Sequence, residues 1–182
     1  MGKVIFGMMM SLDGYVNDKN GSVGSLYPDL TAQVWNELLQ DQIRNTGAVV
    51  MGRHTYDMGK GDFTGYEFQV PIFVITHNTP EPPRGQNENL KFHFVTDSIE
   101  SAYEQAKAAA GEKNVMVVGG PDLGQKSLKL GLIDQVNIGL RPVLLGGGLR
   151  LFENFEDNGI KLEEIEVLRS PGWTDITYQV LK

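Results

Sequence analysis

The chain has no cysteine among its 182 residues. That excludes disulfides, thiolate metal sites and a cysteine nucleophile, and it is compatible with a cytoplasmic setting. Histidine is scarce as well: His54, His77 and His93 are scattered, no H-x-x-x-H or H-E-x-x-H pair occurs, and no metal site is expected. Long apolar runs are missing. Val4 to Met10 holds only seven residues, too few for a membrane span, and reads as a buried strand. Cations are in the minority, 16 Lys plus Arg against 23 Asp plus Glu for a net charge of -7, so neither nucleic acid nor a membrane is an expected partner. Two phosphate-binding signatures are also absent. There is no G-x-x-x-x-G-K-[ST] loop, and the first strand ends Met10-Ser11-Leu12-Asp13-Gly14 rather than in G-x-G-x-x-G.

What remains is an ordinary globular composition, 41% hydrophobic and 21% charged, in a length that suits one domain over residues 1–182. Short apolar runs predict strands at residues 4–10, 48–51, 71–76, 92–95, 115–118, 134–143, 162–168 and 174–181. Helices are predicted between them. Val34, Trp35, Leu38, Leu39 and Ile43 share one face of residues 30–44, with Asp29 or Thr31 as cap; Ser98 caps a helix over 98–110 that Gly111 ends; Pro121 opens another that runs to about Leu130. Residues 11–28 and 58–70, rich in Gly and polar groups, read as loops able to act as lids. The order predicts an α/β fold with a mixed, mostly parallel central sheet, helices on both faces and antiparallel C-terminal strands.

Two strand-to-helix turns carry the strongest chemical signal. In Ala48-Val49-Val50-Met51-Gly52-Arg53-His54-Thr55-Tyr56 a buried strand ends in a glycine that lets backbone approach a ligand. Arg53 and Thr55 then supply a fork and a hydroxyl at a helix start, where free N–H groups favour an anion. Val118-Gly119-Gly120-Pro121 repeats this arrangement, and the pair could hold the two ends of a pyrophosphate. Thr76 and His77 end the third strand, where open parallel sheets place ligand contacts, although a polar turn also explains them. Asp13 is a candidate for a substrate contact or for orienting a proton relay; Asp13-Gly14 equally suits a plain turn. Glu37 and Asn36 are placed to face the same cleft.

Val50-Met51-Gly52-Arg53-His54-Thr55-Tyr56 resembles the dihydrofolate reductase motif in which Gly, Arg and Thr bind the phosphates of NADPH. Val118-Gly119-Gly120 resembles that superfamily's glycine pair, which touches the cofactor through a cis peptide, and Thr76-His77 falls where contacts to the adenosine 2′-phosphate lie. Further along, Gly131-Leu132-Ile133-Asp134-Gln135-Val136, then Arg141-Pro142-Val143-Leu144-Leu145-Gly146-Gly147-Gly148, then Leu151-Phe152 are similar to the reductase domain of the bifunctional riboflavin-biosynthesis deaminase/reductase. The deaminase half has no counterpart here. Two positions depart from these patterns: Asn36 stands where folate enzymes place an acid, and Thr55-Tyr56-Asp57-Met58 replaces an Asp-Asp-Pro segment of the riboflavin enzymes.

The resemblance implies the three-layer dihydrofolate-reductase-like fold and an NADPH-dependent reductase. Hydride would pass to a C=N or C=O bond of a small pyrimidine- or pterin-like substrate, as in 5-amino-6-(5-phosphoribosylamino)uracil reduction or dihydrofolate reduction. It implies cofactor contacts at Met9, Val16, Gly52, Arg53, Thr55, Thr76, His77, Gly119, Gly120, Asp122 and Leu123, with a proton arriving from Asp13, Glu37 or water. Homodimerisation is a further implication. A non-catalytic NADPH- or flavin-binding sensor of the same fold, or a purely structural oligomer, is an alternative reading.

Overall fold

Every predicted strand forms, and their order places the two glycine turns side by side. The computed structural model describes residues 2–27, 37–155 and 159–182. The elements are β1 (Val4–Ser11), α1 (Glu37–Asn45), β2 (Thr46–Gly52), α2 (Arg53–Met58), β3 (Ile72–Ile75), β4 (Phe92–Val95), α3 (Ile99–Ala110), β5 (Asn114–Val118), α4 (Pro121–Lys129), β6 (Gln135–Arg141), β7 (Leu162–Ser170) and β8 (Trp173–Val180). The sheet runs β4-β3-β2-β5-β1-β6-β8-β7. All pairs from β4 through to β6 are parallel, whereas β8 lies antiparallel to both β6 and β7. The fold class is therefore the one expected. The first part of the helix predicted over 30–44, including its caps and Asn36, lies outside the described residues.

Alternate strand residues point to opposite faces, and each face buries its own layer. Val4, Phe6, Val50, Val115, Val117, Val136 and Ile138 pack with Ala102, Tyr103, Ala106 and Ala110 of α3 and Leu123 and Leu128 of α4. The small alanine stripe lets α3 lie close to the sheet. Gly124 does the same for α4, since a Cβ there would enter the Phe6 ring. The other face buries Ile5, Val49, Met51, Ile72, Val74 and Met116 with Tyr56, Phe63, Phe68 and Leu90. Each such large side chain contributes roughly 1.5–3 kcal/mol through burial. Ser98 caps α3, its Oγ accepting from the Ser101 amide at 3.0 Å. None of the described helices is long and apolar enough to cross a membrane.

Both loops read as lids are tied down. Beyond Met58, which ends α2, residues 59–70 form no element, yet Phe63 and Phe68 are buried, and Phe63 stacks on Tyr56 with ring centroids 5.5 Å apart. The sequence pattern shows only the loop's glycines; the structure adds the aromatic anchors beneath them. After β1, the chain is laced to the segment following β6. The amides of Leu12, Val16 and Leu151 donate to the carbonyls of Val143, Leu149 and Gly14 at 2.9–3.0 Å. Leu26 is fully buried, so the described part of this loop has a hydrophobic anchor as well.

Candidate active site

Two cavities lie at the C-terminal ends of the parallel strands and over one face of the sheet. The larger, about 520 Å³, is lined by Gly52, Arg53 and His54 at the β2–α2 turn, by Ile75 at the end of β3 and Thr76, His77 and Asn78 after it, by residues 95–99 from the end of β4 to the start of α3, and by Gly120, which caps α4, with Asp122, Leu123 and Lys126 on that helix. This is the carboxyl-end position at which open α/β sheets bind ligands. Arg53 reaches across it. Its Nε pairs with Asp57 Oδ1 at 2.8 Å, and one terminal nitrogen donates to the Asn78 carbonyl at 3.1 Å and to Thr76 Oγ1 at 3.4 Å. The Thr76 hydroxyl in turn donates to that same carbonyl at 2.8 Å. Lys126 pairs with Asp122 at 2.8 Å. Both ion pairs are solvent-exposed, so each contributes only about 0–1 kcal/mol and either cation can turn to an anion.

The glycines here leave backbone bare rather than serve the fold. Gly52 has φ -79° and ψ 158°, and Gly120 has φ -88° and ψ 176°, extended conformations open to any residue. A Cβ at Gly52 would meet Leu123 only at 3.9 Å, and one at Gly120 would meet Thr55 Oγ1 at 3.9 Å. Neither the dihedrals nor the packing requires glycine. Gly119 differs: its φ is +46°, a Cβ would sit 2.8 Å from Thr55 Oγ1, and the Gly119–Gly120 peptide is cis. Because Gly120 caps α4 without a side-chain bond and Pro121 carries no N–H, the amides of Asp122 and Leu123 are the ones open to an anion.

The smaller cavity, about 210 Å³, lies on the sheet face that carries Met116 and Val118. Gly7, Met9, Asn137, Gly139, Trp173 and Asp175 line it from the sheet; Tyr27, Leu39, Gln42, Glu67 and Phe68 enclose it. The register explains its floor. Gly7 pairs with both Val118 and Asn137, while Gly139 pairs with Met9 and Asp175, so two glycines stand between larger neighbours and lower the surface. A side chain at Gly139 would run into the Met9 sulfur. Asp175 Oδ2 accepts from Trp173 Nε1 at 2.6 Å, and burial raises its carboxyl above the usual aspartate value despite that bond. Asn137 Oδ1 is buried and has no partner among the described residues. Tyr27, hydrogen-bonded to the Met9 backbone, has its phenol pushed up by burial.

Of the residues singled out in the sequence, Gly52, Arg53, Thr76, His77, Gly120, Asp122 and Leu123 come together around the larger cavity, and Met9 lines the smaller. Thr55 stands behind the glycine pair. Val16 is buried in the core, its amide bonded to the Leu149 carbonyl, and lines neither cavity. Asp13 lines neither as well. Its carboxylate accepts from the Ser11 hydroxyl at 2.6 Å and from the Gly146 and Leu145 amides at 2.7 and 3.1 Å, bonds that lower its pKa to about 2. So firm an acid holds a turn; it is a poor proton carrier near neutral pH. Glu37 opens α1, and its side chain lies outside the described residues. Asp175, Asn137, Trp173 and Lys126 carry no motif and are found only through the fold.

An eight-stranded sheet with this order and an antiparallel hairpin at one edge is the dihydrofolate-reductase-like fold. The chain belongs to the RibD C-terminal domain family, which it matches over residues 2–172. It is 26% identical over 158 residues to the uncharacterized protein YyaP of Bacillus subtilis (strain 168), covering 82% of this chain and 80% of that one. A Shewanella sp. PV-4 protein whose name assigns it to riboflavin biosynthesis superposes with a TM-score of 0.81 at 26% identity, over 99% of both chains. Enterococcus faecalis dihydrofolate reductase, solved with NADP(H), shares the fold with a TM-score of 0.63 at 16% identity, over 100% of this chain and 98% of that chain.

Proposed function

We propose that the protein is an NADPH-dependent reductase that transfers hydride to a C=N or C=O bond of a small heterocycle held in the smaller cavity. One observation carries the reading: Val118 lines the smaller cavity and Gly120 the larger, so the turn after β5 divides a cation-bearing cleft from a smaller slot whose described lining holds no cation. A dinucleotide needs that division, with a phosphate grip on one side and a reactive ring on the other. The residues fit it. Arg53, Thr76 and His77 would meet the 2′-phosphate end, and the bare backbone of Gly52 and Gly120 with the free amides of α4 would receive the pyrophosphate. NADPH, when bound, supplies the hydride. The chain's own task is to orient that ring against the substrate and to exclude water, for which Met9, Met116, Val118 and Phe68 provide an apolar lining.

The test measures NADPH binding and NADPH oxidation together, the second with a panel of pterins, pyrimidines, flavins and quinones. Tight binding with turnover of at least one ring class is the expected result. Binding without any turnover favours a sensor of the same fold, and absence of nucleotide binding overturns the reading.

A further inference from the structure

We propose that Asp175 and Asn137 are the recognition residues of the smaller cavity, and that they select a phosphate-free nitrogen heterocycle presenting N–H donors. The inference rests on the reading of that cavity as the substrate slot and deepens it. Both residues sit on neighbouring antiparallel strands and face the same side of the sheet: Asp175 opposite Gly139, and Asn137 two residues before Gly139 on β6. Such diagonal neighbours lie roughly 7–8 Å apart, within reach of one small ring. The volume of about 210 Å³ falls below the ~300 Å³ at which sites for drug-sized ligands begin, which suits a ring of that size.

The open valences are acceptors. Asp175 Oδ2 takes the Trp173 indole N–H, while Oδ1 has no partner among the described residues and lies over Gly139, 3.5 Å from where a Cβ would stand. Asn137 Oδ1 is buried and, among the described residues, unpaired. A buried acceptor left without a donor is costly, so a ligand that brings N–H groups relieves the deficit at Asn137 and gives the partly exposed Asp175 Oδ1 a donor as well. Glu67 stands at the exposed rim, adding a second carboxylate, and among the described lining residues there is no lysine, arginine or histidine. Arg141, one rung further along β6, lies over the Trp173 ring with its guanidinium carbon 5.7 Å from the centroid and does not line the cavity. An anionic ligand would therefore meet two carboxylates and no lining cation, whereas a neutral or cationic ring meets matching acceptors.

Calorimetric titration of the whole protein, with and without NADP⁺, tests this using matched probes. 2,4-Diaminopyrimidine is expected to bind at least tenfold more tightly than 2,4-dimethoxypyrimidine, which has the same ring and no N–H, and cytidine more tightly than cytidine 5′-monophosphate. Asp175→Asn is expected to reduce the diaminopyrimidine preference at least tenfold while leaving NADP⁺ affinity unchanged. Equal affinities for the two pyrimidines, tighter binding of the monophosphate, or an unaltered preference in Asp175→Asn overturns the assignment. The ligand pairs are read on the parent protein, so a folding defect in the variant does not decide the matter. Loss of NADP⁺ binding in the parent would instead overturn the cofactor reading, leaving the pyrimidine preference to be judged separately.

Discussion

The Asp13 carboxylate accepts a hydrogen bond from the Gly146 amide at 2.7 Å, joining the loop after β1 to the glycine turn after β6 across 133 residues of chain. With the Ser11 hydroxyl and the Leu145 amide it closes a small network around one anion. The site's first strand and the strand that carries Asn137 are thereby tied at their ends.

Asp13→Asn should loosen this turn. The folded carboxyl titrates at about 2 against 3.8 when unperturbed, chiefly because of the Ser11 bond. A depressed acid stabilises the native state above its unfolded pKa and loses that contribution as pH falls toward its folded pKa. Between about pH 4 and pH 2 the parent should therefore lose stability more steeply than the variant. Faster amide exchange at Leu145 and Gly146, with NADPH affinity retained, is the second expected readout.

Gly52→Val should fold and fail to bind NADPH. The backbone there is extended and a Cβ has room beside Leu123, so the stability cost is that of replacing a glycine cap by an apolar residue, about 1 kcal/mol. The added side chain would cover backbone at the mouth of the larger cavity. A drop of at least tenfold in NADPH affinity, about 1.4 kcal/mol, is expected with only a slightly lowered melting temperature. Full affinity would remove the β2–α2 turn from the binding site.

Arg53→Ala should separate NADPH from NADH. The guanidinium holds only an exposed carboxylate, a carbonyl and a hydroxyl, so its removal should scarcely alter stability. A charged hydrogen bond to the 2′-phosphate is worth about 1.5–3 kcal/mol, and NADH has no such group. NADPH affinity should fall by that amount with NADH nearly unaffected. Equal losses for both would place Arg53 elsewhere on the dinucleotide.

The larger cavity was legible in the sequence because its parts are contiguous: Gly52 to Thr55 and Gly119 to Leu123 each occupy one turn, and their chemistry follows from local spacing. Strand and helix positions were legible for the same reason, Phe92–Val95 and the Ser98-capped α3 among them. The smaller cavity is built otherwise. Asp175 belongs to an alternating strand whose polar residues read as solvent-facing, and only the pairing of β6 with β8 sets it opposite Gly139. A glycine that makes room by lacking a side chain leaves no signal until its neighbours are known. Asp13 looked available because an Asp-Gly turn says nothing of the amides from residues 145 and 146 that saturate it.

The outer edge of the sheet should form a homodimer contact. Strand β7 has one neighbour, and Leu162, Ile165, Val167 and Leu168 along it are 38–48% exposed. Unpaired edges with apolar side chains are association surfaces unless covered. Light scattering should give twice the chain mass for the parent and a single chain mass for the Ile165→Lys, Val167→Lys double variant. A parent that stays monomeric at high concentration would refute the contact.

Asp175→Asn should cost substrate recognition without costing stability. Burial raises this carboxyl's pKa in the folded state, so the native protein holds that proton more tightly than the unfolded chain. The contribution is thus full below the unfolded value of 3.8 and is lost as pH rises through the folded pKa, leaving a burden at neutral pH. An amide at this position keeps an oxygen for the Trp173 indole N–H and removes the charge. The variant should therefore melt at or above the parent's temperature at pH 7, with the difference vanishing toward pH 3. A clear loss of stability at pH 7 would mean that the carboxylate serves the fold, and its half-buried position over Gly139 would need a structural explanation instead of a ligand.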